Sequence, residues 1–270
     1  MASKNFWSAA LLIALIGGGW WVSRQSETVS TSPDPAPSPA ATASACREVM
    51  FEGSSFTVCP AKRKHSSVSL HLEARDGKML RSLAALKQEM SRAGRAPLFA
   101  MNAGMYDDKG APIGLYVADG KARRGLNLKA GGGNFHLKPN GVFWVDRDGR
   151  FHIAVSEAYA AQKPAPKPVI ATQSGPMLLI GGKLHPKFSD DGPSRYRRNG
   201  VGIDKDGTAW FAISNAPVSF GKFARLFRDE LACADALYFD GGVSALWVPD
   251  QNRLDLGAAI GPILMVERRP

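Results

Sequence analysis

Four short runs place polar side chains beside glycine at the end of an apolar stretch. They are Met101-Asn102-Ala103-Gly104-Met105-Tyr106, Thr172-Gln173-Ser174-Gly175-Pro176, Arg198-Asn199-Gly200-Val201-Gly202 and Phe239-Asp240-Gly241-Gly242-Val243-Ser244. One such run alone is usually a tight turn, because glycine after a strand supplies positive φ or room for a neighbouring backbone. Four in one chain can converge on a single cleft. Their chemistry is complementary: a carboxylate (Asp240), a guanidinium (Arg198), an amide (Asn102) and two hydroxyls (Ser174 and Ser244). A carboxylate held beside the backbone N–H groups of Gly241 and Gly242, which would form an anion nest, suits work on a negatively charged substrate. Tyr106 and Trp247 have the shape to stack on a sugar ring, and core packing explains each at least as well.

Other titratable groups are weaker candidates. The five histidines show no paired metal-ligand spacing, and His136, just after Gly133-Asn134-Phe135, is the one kept as a site member. No cofactor is required by these residues. Asp107-Asp108 and Asp190-Asp191-Gly192 leave a divalent cation, calcium or magnesium, open beside the simpler reading of solvated turns.

Strand ends must position the four runs. Ser67 to Glu73 alternates Val68, Leu70 and Leu72 to one side, the pattern of a half-buried strand. Three hairpins follow from the turn pairs Asp119-Gly120, Asp148-Gly149 and Asp206-Gly207, each flanked by apolar runs. Leu80, Leu83, Leu86 and Met90 are spaced for a helix ending near Gly94. A second helix is capped by Ser219 and buries Phe220, Phe223, Phe227 and Leu231, and the strand leading to Asp240 comes directly after it. The expected fold class is α+β: a single domain with a mixed, largely antiparallel sheet and two main helices.

The chain has 270 residues, 44% of them apolar, enough for a real core. The expected division is a signal anchor or signal peptide over 1–24, a Ser/Pro/Ala-rich linker over 25–45 and a folded domain over 46–270. Phe6 to Val22 is 17 residues without a charge, the short limit of a spanning helix, and it ends at Trp20-Trp21. An uncleaved segment 6–22 would tether the domain to the inner membrane; a cleaved one would release it. Both place the domain outside the cytoplasm, in the periplasm. There one disulfide is expected among Cys46, Cys59 and Cys233: Cys46 and Cys59 lie at the two ends of a hairpin, and Cys233 competes for either. The formal charge is +10, and Lys4 and Arg24 balance Glu27 and Asp34 in the first 45 residues, so the excess belongs to the domain. That favours anionic partners. The cations are scattered and carry no basic helix or aromatic RNA signature, which argues against nucleic acid.

The wording of the motifs resembles the phosphodiester glycosidase family, of the N-acetylglucosamine-1-phosphodiester alpha-N-acetylglucosaminidase type. Its Asn-Gly-Gly-Phe-Phe pattern matches Asn102 to Tyr106, Arg-Thr-Ala-Ile-Gly matches Arg198 to Gly202, and Asp-Gly-Gly-Gly-Ser matches Asp240 to Ser244. A bacterial exported subgroup shares AMNAGMY, GNF (Gly133 to Phe135), PNGVF (Pro139 to Phe143), ATQSGPML, RNGVG and ARLFRD in this order. Ala103 and Val243 depart from the family's glycines. The resemblance implies an exported hydrolase that cleaves the glycosidic bond of a sugar-1-phosphodiester, with a phosphorylated glycan as substrate. A phosphate leaving group is stable as an anion, so one carboxylate and one cation suffice where other glycosidases need two acids. Asp240, Arg198 and Asn102 take the catalytic places, Arg198 as the fork on the phosphate. Gly104, Tyr106, Asn134, His136, Ser174, Asn199, Gly241, Gly242 and Ser244 line the substrate. The alternatives are a glycan- or envelope-binding protein of the same fold without turnover, and a metal-dependent phosphodiesterase cutting the P–O bond.

Overall fold

A computed structural model describes residues 44–240 and 242–269. The anchor segment 6–22, nearly all of the linker and Gly241 lie outside the described residues. No helix among the described residues is long and apolar enough to cross a membrane.

The described residues form one unit built of three sheets. The first has seven strands in the order Arg47–Phe51, Ser54–Ala61, Ala209–Ser214, Asn199–Asp204, Cys233–Asp240, Met177–Ile180 and Lys183–Leu184. The second has five: Arg253–Leu254, Leu246–Val248, Phe99–Asn102, Ile263–Arg268 and Ser66–His71. The third also has five: Lys121–Arg124, Tyr116–Ala118, Ile170–Ser174, Gly141–Val145 and Phe151–Val155. Strand pairing between these named strands is antiparallel throughout. The expected single mixed sheet is therefore corrected to three open antiparallel sheets, while the α+β class stands. All three anticipated Asp-Gly hairpins form.

Period-2 alternation explains how three sheets share one core. One face of each sheet turns inward, and four phenylalanines meet there: Phe99 from the second sheet, Phe143 from the third, and Phe211 and Phe239 from the first. Ring centroids lie 5.4 Å apart for Phe99–Phe211, 5.7 Å for Phe143–Phe211 and 6.5 Å for Phe143–Phe239. Truncating any of these rings should cost about 3–5 kcal/mol. The outer face of the seven-stranded sheet is covered by the helix Phe220–Arg225, continued by a wider turn Leu226–Glu230, through Phe223, Leu226 and Phe227. The outer face of the second sheet is covered by the helix Leu83–Arg92, through Leu83, Leu86 and Met90. Both helices start where a serine accepts a backbone N–H: Ser82 from Ala85 at 3.0 Å and Ser219 from Lys222 at 3.1 Å. A third helix spans Ser156–Ala161. Trp247 packs beneath the first helix, so it is a core residue and not a sugar platform. Cys46 and Cys59 form the disulfide, and Cys233 is free and buried.

Candidate active site

The four polar runs lie at one end of all three sheets, and their side chains fasten the sheets together. Asn102 is the last residue of its strand and is fully buried. Its Nδ2 donates to the Val243 carbonyl at 2.7 Å, and its Oδ1 accepts from the Ala245 N–H at 2.9 Å. Asn199 opens its strand, in register with Asp240. Its Nδ2 donates to the Asn102 carbonyl at 2.7 Å and to Asn102 Oδ1 at 3.1 Å. Its Oδ1 accepts the Asp240 N–H at 3.2 Å and the Ser244 hydroxyl at 3.3 Å. The Ser244 Oγ also lies 2.8 Å from the Asp240 carbonyl and 3.0 Å from the Arg197 carbonyl, and the three acceptors share its single proton. These bonds join the first sheet to the second. Ser174 joins the first to the third by donating to the Phe239 carbonyl at 2.6 Å. Gly104 joins the second to the third: its N–H donates to Thr172 Oγ1 at 3.2 Å, and a Cβ there would lie 2.4 Å from the Gln173 carbonyl oxygen. Glycine is required at 104 by that close approach.

Asp240 ends its strand half-buried at this junction, and its Oδ1 accepts the Gly242 N–H at 2.9 Å. Gly242 thus engages the carboxylate itself, while Gly241 lies outside the described residues. Tyr106 stands next to Asp240. Its ring packs on Gly261, where a Cβ would fall 2.3 Å from the ring, and its hydroxyl donates to the Ala259 carbonyl at 2.9 Å. Burial and the nearby Asp240 charge push the phenol up from 10.0 to about 12, against the opposing charge of Arg81. Burial raises Tyr116, Tyr159 and Tyr238 in the same direction. Each of these tyrosines keeps its proton in the folded state after the unfolded chain has lost it. The stability they contribute is therefore complete below pH 10 and is lost as pH rises toward 12. Unfolding titrations should show stability falling across that window, and Tyr106→Phe should make the fall shallower.

Arg198 takes a different place from the one expected. It is fully buried, and neighbouring strand residues face opposite sides of the sheet. Asn199 faces the second sheet, so Arg198 faces the helix Phe220–Arg225. Its Nε donates to the Val218 carbonyl at 2.8 Å, its Nη2 to the Ser194 carbonyl at 2.8 Å, and its Nη1 to the Tyr238 hydroxyl at 3.2 Å. Its guanidinium lies 3.5 Å over the Phe220 ring. With its donors spent on the protein, Arg198 anchors Tyr238, two residues before Asp240, and is not placed to fork onto a phosphate. Asn134 is exposed at the start of a short 3-10 turn; His136 is half-buried, its Nδ1 3.0 Å from the Lys129 carbonyl. The backbone of this turn flanks Gly175, where a Cβ would meet the Asn134 and Phe135 carbonyls, while the His136 ring packs on Gly131. Asp107 closes its own turn by accepting the Lys109 and Ala111 N–H groups, and Asp191 pairs with Arg195 at 2.6 Å. Among the described residues no three or more His, Cys, Asp or Glu side chains gather as metal ligands do.

Two features had no sequence expectation. Arg81 lies immediately before the Ser82 cap in the left-handed region (φ +55°), and its guanidinium carbon sits 5.7 Å over the Tyr106 ring. Ser82 as a helix cap was readable; the backbone conformation that sends Arg81 across to Tyr106 was not. The second is Asp255, which accepts the Leu246 N–H at 3.1 Å and pairs with Arg253 (2.9 Å) and Arg197 (3.0 Å) beneath the Ser244 loop. Burial pushes this carboxyl up, but the two arginines outweigh it and hold it below the usual carboxylate range. Its stabilisation is thus present above about pH 4 and is lost as pH falls through the lower folded value. Asp255→Ala should cost about 2–3 kcal/mol in urea unfolding at pH 7, because two cations lose their partner.

The family profile described as phosphodiester glycosidase matches residues 96–266. The chain belongs to the phosphodiester glycosidase family. It is 34% identical to the uncharacterised protein YigE of Escherichia coli (strain K12) over 194 residues, 72% of this chain and 73% of that one. Among solved structures it resembles the zebrafish N-acetylglucosamine-1-phosphodiester alpha-N-acetylglucosaminidase catalytic domain, auto-inhibited by pro-peptide. That likeness has a TM-score of 0.53 and 17% identity, covering 83% of this chain and 82% of that one. A Burkholderia pseudomallei K96243 protein provisionally termed exported is similar at a TM-score of 0.54 and 12% identity, over 79% of this chain and 74% of that one. The last two show the fold of the family. The matched span holds Asn102, Arg198 and Asp240 and leaves Arg81 outside it.

Proposed function

We propose that this chain is an exported hydrolase that cleaves the glycosidic bond of a sugar-1-phosphodiester in the cell envelope. The observation that carries the reading is the meeting of the four motif ends around Asp240, cross-tied by Asn199 and Asn102. Family membership supports the reaction class, and the disulfide suits an oxidising compartment. Asp240 acts at C1 of the sugar. The C1–O bond to phosphate breaks, the phosphate monoester leaves as an anion, and the oxygen of water ends on C1. The fixed amides of Asn102 and Asn199 cost no reorganisation during the reaction, because their hydrogen bonds already set the backbone around Asp240. Arg198 is a positioning residue in this scheme, acting through Tyr238 on the strand that carries Asp240.

The test is incubation of the purified protein with UDP-N-acetylglucosamine and a nitrophenyl phosphodiester of N-acetylglucosamine. Release of free sugar together with a phosphomonoester supports the proposal. Binding without turnover across a panel of sugar phosphodiesters would assign the fold a binding role instead.

A further inference from the structure

We propose that Arg81 supplies the cation that holds the phosphate end of the substrate, which makes the site selective for anionic phosphodiesters over neutral glycosides. This rests on the hydrolase reading above. Three observations carry it. First, packing fixes the Arg81 guanidinium. Its guanidinium lies over the Tyr106 ring, and its Nη1 occupies the space a Cβ on Gly110 would fill, 1.7 Å from that position. Among the described residues that buried Nη1 has no hydrogen-bond partner, a state native structures rarely leave unmet. Second, its backbone takes the left-handed conformation, which non-glycine residues adopt at a cost and which clusters at functional sites. Third, it shares Tyr106 with Asp240: the two opposite charges act on the same phenol from their separate positions. A carboxylate at the phenol and a cation over the ring of the same tyrosine suit a substrate with a sugar at one end and a phosphate at the other.

Arg198 cannot take this role, since its donors are bound to Val218, Ser194 and Tyr238. Arginine is also the right chemistry, because its planar fork presents donors to phosphate oxygens that a point charge cannot match. The cation–π contact with Tyr106 holds the guanidinium without neutralising it. A phosphate arriving there gains a charge-assisted hydrogen bond, whereas a neutral aglycone gains nothing from it.

Two measurements on the whole protein test this. Calorimetric titration with inorganic phosphate and with N-acetylglucosamine 1-phosphate compares wild type, Arg81→Met and Arg81→Lys. Arg81→Met should weaken both about 30-fold, and Arg81→Lys, which keeps charge and bulk, should recover part of that loss. Steady-state kinetics on an N-acetylglucosamine phosphodiester should show KM rising by a similar factor with kcat changed far less. Phosphate binding equal in wild type and a folded Arg81→Met variant, or absent from the wild type, overturns the proposal. Arg81-dependent phosphate binding with no turnover keeps the anion site and sinks the hydrolase reading, so the two failures are distinguishable.

Discussion

Asp240→Asn should lower kcat on a sugar phosphodiester by at least about 10³-fold, which corresponds to about 4 kcal/mol of lost transition-state stabilisation. The exchange keeps the shape of the side chain. Its amide oxygen can still accept the Gly242 N–H, which lies 2.9 Å from Oδ1 in the wild type. What disappears is the negative charge that stabilises positive character at C1 and receives the proton of water. The melting temperature should therefore stay within a few degrees while activity collapses. Full activity in a normally folded Asp240→Asn protein removes Asp240 from catalysis and leaves the mechanism without a carboxylate.

Asn199→Ala should have the largest effect on stability of any change in the site, about 3–4 kcal/mol in urea unfolding, with activity lost as well. The amide bridges two sheets, donating to both the backbone carbonyl and the side chain of Asn102 and accepting from Asp240 and Ser244. Its removal leaves several buried groups unsatisfied, each costing about 1–3 kcal/mol, partly offset by relaxation. Asn199→Asp should be nearly as damaging, since a carboxylate cannot donate to the Asn102 oxygens and would be buried with its charge uncompensated. A loss below about 0.5 kcal/mol for Asn199→Ala would show that the motif ends meet without depending on this residue.

Much of this arrangement was legible in the sequence, in places where local rules are strong. The Asp-Gly pairs fix hairpins because few other residues tolerate that turn, and Ser219 marks its helix by a hydrogen bond only a few residues away. The division into three sheets was not legible, because it depends on pairings such as Ile263–Arg268 with Ser66–His71, nearly two hundred residues apart. Arg198 shows a signal that was present and carried a different implication. Once Asn199 lies in a strand, its neighbour must face the other way, so only one of the pair can meet Asn102. For Arg81 no local pattern exists. Its direction is set by a left-handed residue, and its partners Tyr106 and Gly110 belong to another segment. Gly104 was visible as a glycine, but the reason for it, the backbone of Gln173, comes from the third sheet.

The most direct test of the central claim is hydrolysis of an N-acetylglucosamine phosphodiester in ¹⁸O-labelled water, with both products read by mass spectrometry. Attack at C1 through Asp240 predicts the label on the anomeric hydroxyl of the released sugar and none on the phosphomonoester. Label on the phosphate would mean that the P–O bond is cut, and the role given to Asp240 at C1 would be wrong.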